Sequence, residues 1–399
     1  MSFIARMFTC ILLLSANQAL ASESSKSPRC QLPLCNQSAD AQFAWQLGTR
    51  LQLDAGWFDN DRHSDFSDGT NVRRARLNAK VDLGKDWFMD LTYDFARDGR
   101  SAIRDAILRY RNDNGYRFTL GHFKEPFGLE RLTSVRDLAF MERSLSSLLS
   151  PTRAFGVELH HHNRHQTRAI GIFRTGTESG FADSRYGITA RTTFAPHSND
   201  GDIQHFGLAV AYRNNASSGE MRLRQRPETR ISETRLIDTG DFFARDYWLF
   251  GLEKAIASDS LAIQAELNYL LVPDARINQQ SSKQTLGFYG WHVDMSWILT
   301  GEPQPYNHEK GTFGRLKPAR NIQDGGPGAL RIGLRFSSLD LSNRHISGGH
   351  QHNATLGLSW ILNPNISVLT EYVKVLRVRG NDQRGAKPAL VQARLQLVY

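Results

Sequence analysis

From about residue 46 to the C-terminus, apolar side chains recur at every second position. Leu261, Ile263, Ala265, Leu267, Tyr269 and Leu271 alternate with Ala262, Gln264, Glu266 and Asn268. Ala75, Leu77, Ala79, Val81 and Leu83 alternate with Arg74, Arg76, Asn78, Lys80 and Asp82. Period two is the signature of a strand with one greasy face and one wet face. Sixteen such segments are predicted, near 46–57, 72–83, 87–96, 103–111, 116–123, 153–162, 166–175, 185–195, 203–213, 245–256, 260–272, 286–300, 328–341, 351–362, 365–376 and 389–399. Most have roughly the 9 to 11 residues that a tilted strand needs to cross a bilayer.

Connection lengths sharpen the picture. Short turns such as 112–115, 163–165 and "NPN" at 363–365 alternate with longer loops. Long loops at one end and short turns at the other characterise outer-membrane barrels. Aromatic residues cluster at segment ends, as in Trp57-Phe58, Trp87-Phe88 and Tyr247-Trp248, and the chain ends in Tyr399. Such clusters suit the two lipid interfaces. A soluble sandwich rarely needs sixteen strands, and a solenoid shows a fixed repeat that is missing here. The mean hydropathy of −0.44 does not argue against a membrane barrel, since only alternate residues face lipid. The expected fold is all-β, a 16-stranded antiparallel transmembrane barrel spanning 46–399. One connection, 301–327, is long on the short-turn side: a true periplasmic excursion or a strand miscounted. Before the barrel, 1–21 reads as a signal peptide, with Arg6, an apolar run and Ala19-Leu20-Ala21. Residues 22–45 read as a periplasmic segment.

Charge then changes the reading of the wet face. The chain carries 49 basic and 40 acidic residues, a formal charge of +9. An exported protein seldom meets nucleic acid, so the excess points to small oxyanions, anionic sugars or lipid headgroups. Parity places Arg74, Arg76, Lys80, Arg109, Arg191, Arg331, Arg335 and Arg394 on the water-facing side, because Arg or Lys facing lipid at mid-depth costs about 2–4 kcal/mol. These are the candidate pore-lining, anion-binding residues. Asp90, Asp94 and Asp105 supply counter-charge.

One stretch breaks the strand pattern: "GHFKEPFGLERLTS", 121–134, where Pro126 and Gly128 end regular structure. With "FMERSL" at 140–145, "RRARLNAKVDL" at 73–83, "FGVELHH" at 155–161, "GTFGRLKP" at 311–318 and "LGLSWILNPN" at 356–365, it resembles the phosphate-selective porin O and P family. The resemblance covers most of the chain in order. It departs at "ALRIGLRFS", 329–337, which is less aromatic than the family's version, and at His122. It implies a trimeric sixteen-stranded porin whose third long loop folds inward and narrows the pore. In that loop Lys124, Arg131 and Arg143 reach toward solute, while Glu125 and Glu130 anchor it on barrel-wall arginines. Expected partners are phosphate, pyrophosphate and outer-membrane lipid and lipopolysaccharide, with no cofactor and no metal. Sulfate, organic acids and anionic sugars are alternative cargoes; an adhesin or a barrel enzyme is a more distant alternative, since no G-x-S-x-G-type nucleophile motif appears.

Other features carry less. "HHHNRH", 160–165, reads as a solvated periplasmic cluster rather than a metal site. "MRLRQRPETR", 221–230, reads as a wet basic outer loop, with attraction of anions or bridging of lipopolysaccharide phosphates as the alternative. Cys30 and Cys35 can close a small disulfide loop in an oxidising compartment.

Overall fold

The computed structural model describes residues 34–38, 42–97, 102–174, 184–196, 202–215, 219–278 and 280–399. Its frame is sixteen antiparallel strands. The first six are β1 (Phe43–Asp59), β2 (Gly69–Leu83), β3 (Trp87–Asp94), β4 (Ile103–Arg111), β5 (Tyr116–Lys124) and β6 (Arg153–His162). Next come β7 (Gln166–Arg174), β8 (Ser184–Phe194), β9 (Ile203–Asn215), β10 (Asp246–Ser258) and β11 (Leu261–Arg276). The circuit is completed by β12 (Gln284–Ile298), β13 (Ala329–Asn343), β14 (Ile346–Ile361), β15 (Ile366–Arg379) and β16 (Ala389–Val398). Each strand pairs with its chain neighbour, and β1 pairs with β16 from Arg50↔Val398 to Asp59↔Ala389. The sheet therefore closes and leaves no edge in lipid, as a spanning sheet must. Among the described residues no helix is long and apolar enough to cross a membrane.

Burial is inverted relative to a soluble globule. Leu252, Ile172, Leu358, Trp57 and Trp297 are exposed on the outer wall, whereas Arg213, Arg335 and Arg394 are fully buried inside. The strand pleat does this: one register of side chains meets lipid and the other meets the lumen.

The largest apolar cluster fills one side of the lumen, and a smaller one, Phe123, Ala154 and Phe173 with Ile107, packs along β4–β7. Phe127, Leu145 and Leu149 of the 125–152 connection pack with Leu223, Leu236 and Phe242 and with wall residues Leu270, Phe288, Leu339 and Val375. Leu223 and Phe242 belong to a hairpin, Glu220–Gln225 against Ile237–Ala244, inside the β9–β10 connection. This corrects the reading of 221–230 as a wet outer loop. Its tip residue Glu228 is buried, with φ 55. Glu228 accepts hydrogen bonds from Ser337 Oγ (2.6 Å), Thr355 Oγ1 (2.8 Å) and the Leu145 amide (3.2 Å). A loop rich in arginine is drawn inside because one acid at its tip finds three donors there.

The connection between β12 and β13 is a periplasmic excursion and not a missed strand. It too enters the barrel. Gln304 N bonds Asp259 O at 2.8 Å at one short turn, and Ile322 N bonds Leu362 O at 3.0 Å at another. Phe313 then packs with Leu129, Ala255, Ala257 and Ala262. His160, expected to be solvated, lies buried on β6 facing inward. Cys35 is disulfide-bonded. Cys30 and the 1–21 segment lie outside the described residues.

Candidate anion pore

The turn that begins the inward loop is built from Glu125, Pro126 and Gly128. Gly128 has φ 74, a left-handed value that L side chains rarely adopt. A Cβ there would sit 3.0 Å from Glu266 Oε2. Glu125, fully buried, pairs with Arg213 of β9 and accepts from Thr189 of β8. Glu130 pairs with Arg335 of β13 at 2.8 Å, and its amide is taken by Glu266 of β11. Farther on, Glu371 of β15 takes the Met141 amide. The loop thus hangs from the wall by carboxylates on both partners.

This suspension leaves a cavity of about 710 Å³ against the β1–β5 wall. Eighteen arginines and lysines line it, against four carboxylates, Asp90, Asp105, Glu142 and Glu228. Tyr399 is its one aromatic residue. At the outer end stand Arg222, Arg224, Arg226 and Arg235 of the hairpin. Deeper are Arg73, Arg74, Arg76, Arg131, Arg143 and Arg153. Arg50 stands in register with Arg76, and Lys80, Arg136 and Arg315 lie toward the short-turn end.

The inward-facing cations fall into three kinds. Some are neutralised by carboxylates. Arg191 holds Glu253 at 2.6 and 2.9 Å and also donates to Gly311 O of the periplasmic excursion at 2.8 Å. Arg335 holds Asp294 and Glu130, all at 2.8 Å. Arg394 holds Asp54 at 2.7 Å and Glu142 at 2.9 Å. Arg76 pairs with Asp94 at 2.8 Å and Arg153 with Asp105 at 3.0 Å. Others bind only neutral acceptors. Lys124 Nζ donates to the carbonyls of Arg131, Leu132 and Thr133 at 2.7–3.2 Å. Arg143 donates to the carbonyls of Glu130, Arg131 and Thr133 at 2.9–3.2 Å. Arg131 donates to Ser147 O, and Arg74 to Gln52 Oε1 at 2.5 Å. A third kind, Arg50, Lys80, Arg224 and Arg315, makes no hydrogen bond or ion pair among the described residues. Arg50 Nε is buried without a partner.

Of the positions parity selects, Arg74, Arg76 and Lys80 line the cavity, as do Lys124, Arg131 and Arg143 from the loop. Arg191, Arg335 and Arg394 point inward but serve as clamps. Arg331 donates to Leu138 O at 2.5 Å behind the loop, and Arg109 donates to Thr119 Oγ1 at 3.2 Å and lies over the Phe88 ring. Arg50 escaped the sequence reading, although it alternates with Thr49 and Leu51 on β1. The hairpin arginines escaped it because nothing local says that a loop turns inward.

The electrostatic consequence is like-charge strain. Burial, then the neighbouring Arg143, lowers the Arg131 pKa to about 9. Burial would raise Glu142, but Arg73 at 2.7 Å, with Arg74 and Arg394, holds its carboxyl well below the usual range. The remaining grouping of metal-ligand spacing among the described residues, Glu130, His292 and Asp294, already holds the Arg335 guanidinium.

Comparison with known proteins agrees with this geometry. The profile of the family "Phosphate-selective porin O and P" matches residues 45–399. An uncharacterised protein of Caulobacter vibrioides is 27% identical over 333 residues, which cover 78% of this chain and 64% of that protein. The chain thus spans just under two thirds of that relative's length. Porin O of Pseudomonas aeruginosa is 24% identical over 375 residues, covering 84% of each. Among solved structures, the outer membrane channel DcaP of Acinetobacter baumannii aligns with TM-score 0.57 and 13% identity over 91% of this chain and 99% of that one. The anion-selective porin from Comamonas acidovorans aligns with TM-score 0.56 and 13% identity over 90% of this chain and 100% of that one. These structures share the fold. With a closed barrel, an inward loop and a family match over nearly its whole length, the chain belongs to the phosphate-selective porin O and P family, the porins of the bacterial outer membrane.

Proposed function

We propose that the chain is a passive channel for small anions, with compact oxyanions, phosphate and pyrophosphate first, as its cargo. The observation that carries this reading is the cavity lining: eighteen cations, four carboxylates and a single aromatic ring. An anion about 4 Å from one such charge gains roughly 4 kcal/mol at an effective dielectric near 20. Guanidinium forks replace the lost water with charge-assisted hydrogen bonds. The cations without a carboxylate partner, above all Arg50, Lys80, Arg224 and Arg315, whose donors are open, form the transit sites, each relieving the repulsion of the one before. The ion-paired arginines hold the loops and add little net field. Asp90 and Asp105 keep any one site from trapping the ion, since conduction needs several moderate sites in series. The scarcity of ring faces disfavours sugars, which stack on aromatics. A homotrimer is the proposed assembly, on the family likeness.

The test is a reversal potential across a planar bilayer in a salt gradient, then titration of the chloride current with phosphate and with sulfate. Anion preference and a current blocked by phosphate at lower concentration than by sulfate are expected. Cation preference would overturn the channel's charge assignment; equal block by sulfate would overturn the phosphate assignment and leave a general oxyanion pore.

A further inference from the structure

The outer wall carries a polar patch just above its lipid-facing apolar band. It lies at the outer end of β13, β14 and β15. His350 stands opposite Asp340 on one side and Arg379 on the other; His352 stands opposite Arg377 and Ser338. All of these share the outward face with Phe336, Leu334, Leu356, Leu358 and Trp360 farther down the same strands, which are exposed as lipid contacts. We propose that this patch binds a phosphorylated headgroup of the outer leaflet, the diphosphorylated glucosamine of lipid A, with Arg377 and Arg379 as its phosphate ligands.

Depth is the first argument. β14 has 16 residues and β13 has 15, against the 9 to 11 needed to span hydrocarbon. About five residue pairs therefore project past the apolar zone at the tight turn around Arg344 and His345. This is the end opposite the short turn at 363–365, so it faces outward. Trp291 and Phe336, with ring centroids 5.5 Å apart, and Tyr289, opposite Asp340 and 6.4 Å from the His350 ring, mark the aromatic border, and His352 lies 6.0 Å from Phe336. Arg377 and Arg379 pair in register with the histidines at that border, where phosphates of a lipid A headgroup lie.

Charge is the second. Asp340 is engaged: its Oδ2 lies 3.7 Å from His350 Nδ1, while His350 Nε2 lies 3.1 Å from Ser338 Oγ. The two histidine rings are in contact, centroids 4.2 Å apart and tilted by 50°. Arg377 and Arg379 are exposed and form no ion pair among the described residues. The patch is thus a polar shelf carrying two open guanidinium forks, the geometry that suits phosphate oxygens. A neighbouring protomer would have to supply carboxylates to match it, and the patch's own acid, Asp340, is already committed. The hairpin at 221–230, the stretch whose arginines suggested phosphate bridging, faces the lumen instead. This inference does not rest on the cargo of the pore.

The experiment is native mass spectrometry and thermal unfolding of the full chain in detergent. The probes are diphosphorylated lipid A, its dephosphorylated form and phosphatidylglycerol. Tighter retention of diphosphorylated than of dephosphorylated lipid A, by about tenfold, is expected, with a rise in unfolding temperature. The R377Q/R379Q variant should lose that tenfold preference while keeping the wild-type reversal potential, which reports an intact barrel. Equal retention of both lipid A forms, or unchanged retention by the variant, overturns the proposal. So does a cross-link from Cys substituted at Arg377 to a second copy of the chain, since that assigns the patch to a protomer interface. Retention of phosphatidylglycerol equal to that of lipid A also overturns it, because the site would then read a single phosphate.

Discussion

At the residue scale, the partner of an inward arginine decides what it does. Arg335 and Arg50 have the same side chain and opposite roles. Arg335 is held by Asp294, Glu130 and the Glu142 carbonyl. Replacing it with Gln strands two buried carboxylates, so R335Q should lower stability by about 3–5 kcal/mol, read by thermal unfolding in detergent. Arg50 has no acid to strand. R50Q removes a buried, unpartnered cation and so should not lower stability, and it should cut the anion-to-cation permeability ratio several-fold, read from reversal potentials. Equal loss of stability in the two would erase the distinction. Glu142 gives a pH test. Its folded pKa is depressed below 4.5, so its stabilising contribution is complete above pH 4.5 and fades as pH falls toward the folded value. E142Q should therefore unfold at a lower temperature than wild type at pH 7, and the gap should narrow on acidification.

At the element scale, two connections and not the strands set the bore. The inward loop turns on Gly128, whose φ 74 and nearness to Glu266 leave little room for a Cβ. The arginine hairpin turns on Glu228. E228A leaves three donors, Ser337, Thr355 and the Leu145 amide, without their acceptor. Each unmet buried group costs about 1–3 kcal/mol. The hairpin should then lift from the barrel, raising single-channel conductance and lowering anion preference together. Faster protease cleavage within 220–244 is the independent readout. Unchanged conductance would mean that the hairpin stays seated without its tip. The stretch at 121–134 was legible as a broken strand with anchoring acids, and Glu125 and Glu130 do anchor on Arg213 and Arg335. Its partners were not legible, because they come from β9 and β13, far along the chain.

At the scale of the whole molecule, the barrel is lopsided. Its β9–β15 side is stopped by an apolar plug from above and by the periplasmic excursion from below, through Phe313 and the Arg191–Gly311 contact. That leaves the basic cavity along β1–β5 as the proposed path for anions. Removing 303–319 should open a second, less selective passage, seen as larger conductance with a smaller reversal potential. F313A should cost about 3–5 kcal/mol without altering selectivity, since Phe313 does not line the cavity. A shift in reversal potential in F313A would show that the plug side conducts.

Alternation along the chain was enough to place sixteen strands, to choose barrel over sandwich and to send Arg74, Arg76 and Lys80 inward, because a pleat of period two leaves a side chain only two directions and lipid rejects charge. No local pattern could say which inward cations would be neutralised. That depends on the carboxylate each one meets across the lumen, from Glu125 to Arg213 or Glu130 to Arg335. Nor could it say that 221–230 and 301–327 enter the barrel. Those choices rest on long-range contacts with Glu228 and Phe313, formed only once the wall has closed around them.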